Sequence, residues 1–208
     1  MTDNPGPSRR VPRAEVRRRL LAEAVRVFTE RGYADARIED IAHAAGFTKG
    51  AVYSNFGGKH ELFGAVLGQG AQDELAAVTA GMDGADDAGA VIERVAGLMA
   101  ARIATDTGHG QLGLEFAARA ARDEQTRAVL APMRRAQRDA AARAVAEVAE
   151  RTGAGPAVPA ELAGLILHCL TNGLVNEHLA DPETVTADVV ERAFAAVLTA
   201  LLAPASHG

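Results

Sequence analysis

The chain has 208 residues, enough for one large or two small domains, and its 48% hydrophobic and 24% charged content is typical of a globular protein in water. Charges or glycines interrupt every apolar run, the Arg-rich N-terminus has no apolar segment behind it, and the one cysteine is Cys169. These features exclude a membrane span, a secretory signal and an internal disulfide framework, and they favour a cytoplasmic protein.

The formal net charge of −5 is unevenly distributed along the chain. Residues 1–60 carry eleven Arg and Lys against seven Asp and Glu, whereas residues 61–208 carry eleven against twenty. A basic N-terminal third suggests that this part meets a polyanion. A solvated helical surface would show the same asymmetry, so charge alone does not decide between the two interpretations.

The first part of the chain is predicted to be a flexible basic arm followed by four helices. Three prolines, a glycine and Arg9-Arg10 indicate an arm over residues 1–12. Apolar residues at helical spacing then predict the helices, and Gly32, Gly46 and Gly57 are placed to end the first three of them. The four helices are expected over about 13–31, 38–45, 49–55 and 59–80.

The second part of the chain is predicted to be five further helices, which makes the fold all-α with about nine helices and no strands. The separators "TGHG" at 107–110, "TGAGPAVP" at 152–159 and "DPET" at 181–184 place the boundaries. Pro132 should kink or split the longest segment, because proline lacks the N–H that an interior helical residue donates. The five helices are expected over about 90–105, 111–122, 124–151, 160–179 and 187–202.

Residues 37–56 have the dimensions of a helix-turn-helix, in which the second helix presents its N-terminal residues to base edges in the major groove. Such a helix needs a slim polar outer face and an apolar inner face. Here Val52 and Phe56 point inward, and Thr48 is placed as the N-cap. The outer face consists of Thr48, Lys49, Gly50, Ala51, Ser54 and Asn55.

The segments "LLAEAVRVFTERGY", "IEDIAHAAGFTKGAVYSNF" and "GGKHELFGAVL" follow one another in the order and spacing of a known family. With them, residues 13–67 resemble the N-terminal domain of TetR-family transcriptional regulators. The resemblance implies a DNA-binding domain over 13–59, a connecting helix over 60–80 and a ligand-binding and dimerisation domain over 84–208. Beyond about residue 80 it extends only to the all-helical layout.

The candidate DNA contacts follow from the resemblance and from residue chemistry together. Lys49 can reach a phosphate or a guanine edge, and Gly50 lets the backbone approach DNA although glycine weakens a helix by about 1 kcal/mol. The resemblance implies a Tyr53 phenol that donates to a phosphate, and Lys59 begins a helix whose N-terminus attracts phosphate. The remaining candidates could either contact DNA or have only a local structural role, and both explanations are equally good: Thr48, Ser54 and Asn55.

Arg37 departs from the family, which usually has Ser or Thr at this position to cap the second helix. Arginine has no acceptor for the N-cap bond, so Asp35 or water would have to serve. Arg37 could still bind a phosphate through its charge. The basic residues of the arm and the first helix could likewise lie along DNA or remain a solvated tail.

No enzyme motif is complete in the sequence. "HELFG" at 60–64 lacks the second His of a zinc protease, and "GGKH" lacks the first Gly and the Ser or Thr of a phosphate-binding loop. We therefore predict no catalytic residues, metal or cofactor.

The C-terminal body is expected to dimerise through its last two helices and to bind a small molecule. The stripe formed by Val190, Phe194 and Leu198 could build a four-helix bundle with a second copy or pack within one subunit. Gly164 and Gly173 would allow close helix contact. Candidate pocket residues, which internal hydrogen bonds or exposure would also explain, are Gln111, Glu115, Phe116, Arg119, His168, Asn172 and Asn176.

These features together predict a homodimeric, cytoplasmic repressor that binds a palindromic operator in double-stranded DNA and is released by a small-molecule effector. The alternative is an all-helical ligand-binding or enzymatic bundle in which the N-terminal helices are only structural.

Overall fold

The computed structural model describes residues 11–82, 87–153 and 157–202. Within these ranges the chain is all-α, with nine helices and no strand, which confirms the predicted fold class. The predicted arm over residues 1–12 lies almost wholly outside the described residues. In chain order the helices are α1 (Arg13–Asp35), α2 (Ile38–Ala44), α3 (Lys49–Phe56), α4 (Lys59–Met82), α5 (Ala88–Thr105), α6 (Thr107–Ala120), α7 (Glu124–Thr152), α8 (Ala160–Ala180) and α9 (Ala187–Leu202).

One boundary prediction is wrong, and one of the two outcomes expected at Pro132 is excluded. The "TGHG" segment at 107–110 is not a separator but the first turn of α6, because the Asp106 carboxylate caps that turn by accepting from the His109 backbone N–H. Pro132 does not split the long segment, since α7 is continuous on both sides of it. A helix of 29 residues can lose the one hydrogen bond that proline removes and still be held by its neighbours.

The helix stops predicted at glycines are confirmed by backbone geometry. Gly46 has φ of 78°, and the Phe47 N–H bonds the Ala42 carbonyl at 2.8 Å while the Gly46 N–H bonds His43 at 3.0 Å. This is the Schellman pattern, which ends α2 and turns the chain towards α3. Gly32 also has a positive φ, 73°, and breaks α1 before a last turn that ends at Asp35.

The chain divides into two compact units, Met1–Val66 and Leu67–Gly208. The N-terminal unit is built around an aromatic cluster in which the Phe63 ring lies 4.7 Å from Phe28 and 5.0 Å from Tyr33, centroid to centroid. These three rings are buried, and Val52 of α3 and Ile41 of α2 are fully buried as well. The inner faces of α2 and α3 are thereby fixed, so their outer faces have a defined orientation.

The C-terminal unit buries the apolar stripe of α9. Val190, Phe194 and Leu198 all pack within the subunit against α5, which decides the alternative left open by the sequence in favour of internal packing. Gly164 of α8 lies against α7, because a Cβ there would overlap the Arg138 carbonyl oxygen and lie 3.0 Å from the Ala142 nitrogen. Gly173 has open space instead.

Two kinds of feature, a membrane-spanning helix and a metal-binding cluster, are absent from the described residues. No helix in that part of the chain is long and apolar enough to cross a membrane. No group of three or more His, Cys, Asp and Glu side chains in the same part is arranged to hold a metal ion.

Candidate functional sites

The outer face of α3 carries Lys49 and Tyr53, one turn apart. Tyr53 is 47% exposed, although Val52 beside it is fully buried. The Lys49 ammonium lies 5.7 Å from the centre of the Tyr53 ring, within the range of a cation–π contact. The two side chains together form an exposed patch on the outer face of α3.

Lys49 is also paired with Glu39 of the preceding helix. The Lys49 Nζ to Glu39 Oε1 distance is 2.6 Å, and both side chains are more than half exposed. The hydrogen bond from Lys49 lowers the pKa of Glu39, and the same bond raises the pKa of Lys49. Exposed pairs of this kind contribute at most about 1 kcal/mol, so a phosphate could replace Glu39 at small cost.

The start of α3 is capped only by its backbone. Thr48 occupies the N-cap position, but its side chain makes no cap hydrogen bond, so the prediction of side-chain capping is wrong. The Thr48 hydroxyl is exposed and has no capping role at the start of α3. A Cβ at Gly50 would meet Thr48 Oγ1 at an ordinary 3.7 Å, so the fold itself does not require glycine there.

The end of α3 is bound to α1. Arg13 donates to the Ser54 carbonyl at 3.1 Å, and Arg17 donates to the Asn55 carbonyl at 2.9 Å while its guanidinium lies 4.3 Å from the centre of the Phe56 ring. These arginines satisfy carbonyls that a helix C-terminus leaves open. This local role is not evident from the sequence, in which the basic residues of the arm and the first helix were interpreted only as possible DNA contacts or a solvated tail.

Ser54 and Asn55 both bond within α3. The Ser54 hydroxyl and the Asn55 amide each donate to the Ala51 carbonyl, at 3.1 and 2.8 Å. Ser54 is exposed, whereas Asn55 is half-buried and its Oδ1 is buried without a hydrogen-bond partner. Of the two, only Ser54 lies on the accessible surface of the helix.

Arg37 occupies the N-cap position of α2 and has no side-chain cap bond. Asp35 ends α1 and does not cap α2, so that suggested substitute is wrong. Among the described residues the Arg37 side chain forms no hydrogen bond or ion pair. It is exposed beside Glu39, which leaves a guanidinium available to an external anion.

Lys59, the first residue of α4, has a structural role that the sequence did not reveal. Its ammonium donates to the Ala34 carbonyl at 3.1 Å and lies 4.6 Å from the centre of the Tyr33 ring. It therefore joins the start of α4 to the end of α1. Near the start of α1, Arg18 and Arg19 are bound to Glu15, and their hydrogen bonds lower the pKa of Glu15 to about 2.

The C-terminal unit contains a cavity of about 480 Å³. Every helix from α4 to α9 contributes to its wall, and leucine, valine, isoleucine and methionine side chains form most of the lining. The volume lies in the range of about 300–1,000 Å³ that is usual for small-molecule pockets. A few polar groups on α4 to α8 interrupt this apolar wall.

One polar group is Arg134 of α7 with two neutral partners on α8. Its Nη1 bonds His168 Nε2 at 2.8 Å and also the Asn172 side-chain oxygen. Burial, and then the nearby Arg134, lower the pKa of His168 to about 4. The imidazole is therefore neutral near pH 7, so Nε2 accepts from Arg134 and the ring N–H lies on Nδ1.

The other polar group is centred on Arg102 of α5. Its Nη2 donates to the Gly70 carbonyl of α4 at 2.8 Å, and its guanidinium lies 3.7 Å from Glu74 and 3.6 Å from Asp106. Asp106 in turn bonds His109 Nδ1 at 2.7 Å. Burial raises the pKa of Glu74, although Arg102 opposes that shift. Arg102 is thus surrounded by acceptors.

Of the seven candidate pocket residues, His168 and Asn172 line the cavity. The other five are elsewhere in the unit: Phe116 is fully buried in the packing of α6, Glu115 is half-buried outside the lining, and the remaining three are exposed, namely Gln111, Arg119 and Asn176. The cations that do line it, Arg102 and Arg134, were missed. An arginine on an inner helix face has the same sequence signal as one on the surface.

Family models match most of the chain. The model described as bacterial regulatory proteins, tetR family, matches residues 20–66, and the model described as BetI-type transcriptional repressor, C-terminal, matches residues 88–203. The second match alone covers more than half of the chain. The segments that carried the resemblance in the sequence lie largely within the first.

Individual relatives are similar over shorter segments. The HTH-type transcriptional regulator SrpR of Pseudomonas putida is 47% identical over 53 residues, which are 26% of this chain and 25% of that protein. The chain therefore matches only about a quarter of the length of this curated relative.

Solved structures are similar over nearly the whole chain. A putative TetR-family regulator from Rhodococcus sp. has a TM-score of 0.77 and 20% identity, over 91% of this chain and 100% of that one. FadR from Bacillus subtilis in complex with stearoyl-CoA has a TM-score of 0.70 and 15% identity, over 87% and 96%. At these identities the likeness concerns the fold.

Proposed function

Because the chain belongs to the TetR family of bacterial regulatory proteins, we propose that it is a homodimeric transcriptional repressor released from a palindromic operator by a small molecule. The observation that carries the proposal is the outer face of the helix-turn-helix, where Lys49 and an exposed Tyr53 stand over a buried Val52. We propose a cytoplasmic location and no catalytic role.

The contacts proposed for DNA fall into two groups. Lys49 and Arg37 are exposed cations that can exchange their present surroundings for phosphate, and Tyr53 can donate its phenolic proton to a phosphate or stack on the backbone sugars. Thr48, Gly50 and Ser54 line the exposed start and flank of α3, where the polypeptide approaches the groove most closely. Two such helices in a dimer would enter major grooves about 34–36 Å apart.

Lys59 and Asn55 have a weaker claim to direct contact. Lys59 bonds Ala34, and Asn55 is half-buried, so each already has a local role. We propose that Lys59 adds positive potential at the N-terminus of α4 and that Asn55 supports the end of α3. Both would then act on DNA through charge or position.

Dimerisation through α8 and α9 is supported by the outward face of α8. Leu162 and Leu165 are 43% and 42% exposed, and Cys169 and Gly173 continue the same face towards the C-terminus of the helix. Since the apolar stripe of α9 is used inside the subunit, its small outward residues such as Ala196 and Ala200 would meet the second copy. An exposed row of leucines and small residues suits a four-helix bundle.

The cavity is the proposed effector site. Its wall includes residues of α4 from Leu67 to Met82, and α4 is continuous back to Lys59 beside the helix-turn-helix. A ligand that binds one arrangement of this wall more tightly than another would shift α4 and lower operator affinity. The stearoyl-CoA complex of FadR is an example of a related fold with a ligand bound.

DNA binding is tested by mobility shift with the intergenic DNA beside the gene, using Lys49→Ala and Tyr53→Phe. Each substitution should weaken binding by about tenfold, and Lys49→Ala should lower the slope of log affinity against log salt by about one unit. Arg135→Ala, which removes an exposed charge from α7, is the matched control. Unchanged, salt-insensitive binding in both variants would contradict the assignment and favour the ligand-binding bundle.

The dimer is tested by light scattering at micromolar concentration. Wild type should have twice the mass of one chain, and Leu165→Glu should shift it to the mass of one chain. Leu98→Glu, at another exposed leucine, should not. A wild-type protein with the mass of a single chain would contradict the proposed bundle.

A further inference from the structure

We infer that the effector is an amphiphilic carboxylate: its apolar body fills the cavity of the C-terminal unit, and its carboxylate binds the Arg134 guanidinium. This inference rests on the proposed function, because it names the chemical class of the ligand for that same cavity. Three properties of Arg134 carry it: unused hydrogen-bond donors, the absence of any carboxylate of the described residues within ion-pair distance, and an apolar surrounding wall.

The hydrogen bonding of Arg134 uses one nitrogen. Both contacts, to His168 Nε2 and to the Asn172 side-chain oxygen, are made by Nη1. Within the described part of the chain, Nε and Nη2 make no hydrogen bond, and no Asp or Glu oxygen lies within 4.0 Å of the guanidinium. A guanidinium has five N–H donors in a planar fork, so one edge of this fork, on a side chain that lines the cavity, has no protein acceptor.

Arg102 shows what a satisfied guanidinium looks like in the same wall. It bonds the Gly70 carbonyl and lies within 4.0 Å of two carboxylates, those of Glu74 and Asp106. Its positive charge is therefore offset locally. Arg134 makes hydrogen bonds only to neutral groups, and the carboxylate of Glu74, which already lies beside Arg102, acts on it only from a distance.

Burial makes that open charge costly. Removal from water lowers the pKa of Arg134 and the neighbouring Arg138 lowers it further, whereas Cys169 and Glu74 oppose the shift without cancelling it. A partly buried cation with no anion in contact is an unfavourable arrangement that a bound anion relieves. A carboxylate fits the open edge best, because it accepts two parallel N–H bonds from one guanidinium.

His168 and Asn172 give this site its selectivity. Since His168 is neutral near pH 7, it holds the guanidinium in place without adding a second charge. Its acceptor nitrogen is already occupied by Arg134, so a ligand meets N–H donors and not acceptors at this point. A cationic ligand would meet repulsion from Arg134 and gain no anionic partner that Arg102 does not already hold.

The rest of the wall defines the body of the ligand. Around Arg134 the lining is apolar, with Leu130 and Met133 on α7 and Leu167 on α8. Met133 is flexible enough to adapt to different ligand shapes. An alkyl chain and a fused aromatic ring are the two bodies compatible with this surface, and the test distinguishes between them.

The test measures binding to purified protein without DNA, by isothermal titration at pH 7.5 and below the micelle concentration of each probe. The probes are dodecanoate, dodecanol, dodecyltrimethylammonium, 1-naphthoate and 1-naphthalenemethanol. At least one carboxylate should bind about tenfold or more tightly than its alcohol, since a charged hydrogen-bonded pair is worth that much. The carboxylate that binds more tightly shows whether the apolar body of the ligand is an alkyl chain or a fused aromatic ring. Equal or tighter binding of the alcohols or of the ammonium, or no carboxylate binding, overturns the inference.

Variants assign the effect to Arg134. In Arg134→Gln the preference for carboxylate over alcohol should disappear, whereas in Arg135→Gln, one residue further along α7 and exposed, it should persist. Arg134→Lys keeps the charge but not the fork and should retain part of the preference. An undiminished preference in a folded Arg134→Gln protein, checked by its thermal transition, would also overturn the inference. Operator binding measured without ligand tests the repressor proposal separately, so the two can fail independently.

Discussion

The two units of the chain use charge in opposite ways. In the N-terminal unit the cations lie at the surface, and several are paired with acids that solvent or phosphate can replace, as Lys49 is with Glu39. In the C-terminal unit Arg134 is half-buried against an apolar wall and makes hydrogen bonds only to neutral groups. An exposed pair costs little to exchange, which suits reversible contact with a polyanion, whereas a half-buried cation with no anion in contact suits the small anion proposed above.

The interiors of the two units differ as well. The N-terminal unit packs three aromatic rings in mutual contact around Phe63, and this fixes the outer faces of α2 and α3. The C-terminal unit leaves a space of about 480 Å³ between its helices. Rigidity supports recognition of a regular groove, and an open interior supports uptake of a ligand.

The largest effect should come from removing the aromatic centre of one unit. Phe63→Ala should destabilise the N-terminal unit by about 3–5 kcal/mol, because a fully buried ring leaves a cavity. Hydrogen exchange read by mass spectrometry should lose protection mainly in residues up to Val66. Phe116→Ala, at an equally buried ring, should lose protection mainly in residues from Leu67 onwards. Equal loss of protection across the whole chain in either variant would mean that the two units unfold as one.

The next effect tests packing within the C-terminal unit. Gly164→Ala should destabilise the protein by about 1–3 kcal/mol, because the new Cβ overlaps the Arg138 carbonyl on α7. Gly113→Ala, which adds a methyl group where nothing lies within 4 Å at the cavity wall, should be neutral or stabilise α6 by up to about 1 kcal/mol. Denaturant unfolding measures both. Similar destabilisation by the two substitutions would show that the cavity wall is as tightly packed as the helix contact.

A smaller effect concerns pH. The folded pKa of His168 is about 4, below the ordinary value of 6.5, so the unfolded chain binds the proton first. Stability that is present above pH 6.5 is therefore lost as the pH falls towards 4, by at most about 1.4 kcal/mol per unit. In His168→Gln the melting temperature should depend less on pH over this range than in wild type, whereas His43→Gln, at an exposed position of α2, should keep the wild-type dependence. If the melting temperature of His168→Gln changed with pH as that of wild type does, the lowered pKa of His168 would be refuted.

The smallest effect tests the exchangeable pair on the proposed DNA surface. Glu39→Gln releases Lys49 and removes a negative charge, so operator affinity should rise about two- to fivefold, as expected for an exposed pair. Fluorescence anisotropy at two salt concentrations measures it. Glu23→Gln, which removes a similar charge from α1, is the control. Weaker binding by Glu39→Gln would mean that Glu39 orients Lys49 for DNA instead of competing with it.

Sequence predicted the N-terminal unit far better than the cavity, and the reason is the range of the interactions. The end of α2 at Gly46 depends on residues within one turn, so a glycine at helical spacing was sufficient to predict it. The exposure of Tyr53 follows from the burial of Val52 beside it, which is also a local pattern.

The cavity depends on contacts between distant segments. Arg134 and His168 are 34 positions apart, and Arg102 reaches Gly70 across 32. No spacing rule links such residues, so two of the seven candidates line the cavity and both arginines were missed. The structural role of Lys59 was missed for the same reason. Its bond to Ala34 spans 25 residues, and the sequence predicted only a DNA contact for this side chain.

The bonds from Arg13 and Arg17 to the last carbonyls of α3 have a practical consequence for anyone handling this protein. They connect the first turn of α1 directly to the C-terminal end of the proposed recognition helix. Proteolytic trimming that removes Arg13 would take away one of these bonds without changing any proposed contact of α3 with DNA. Operator affinity should therefore be measured on chains whose native N-terminal sequence has been restored.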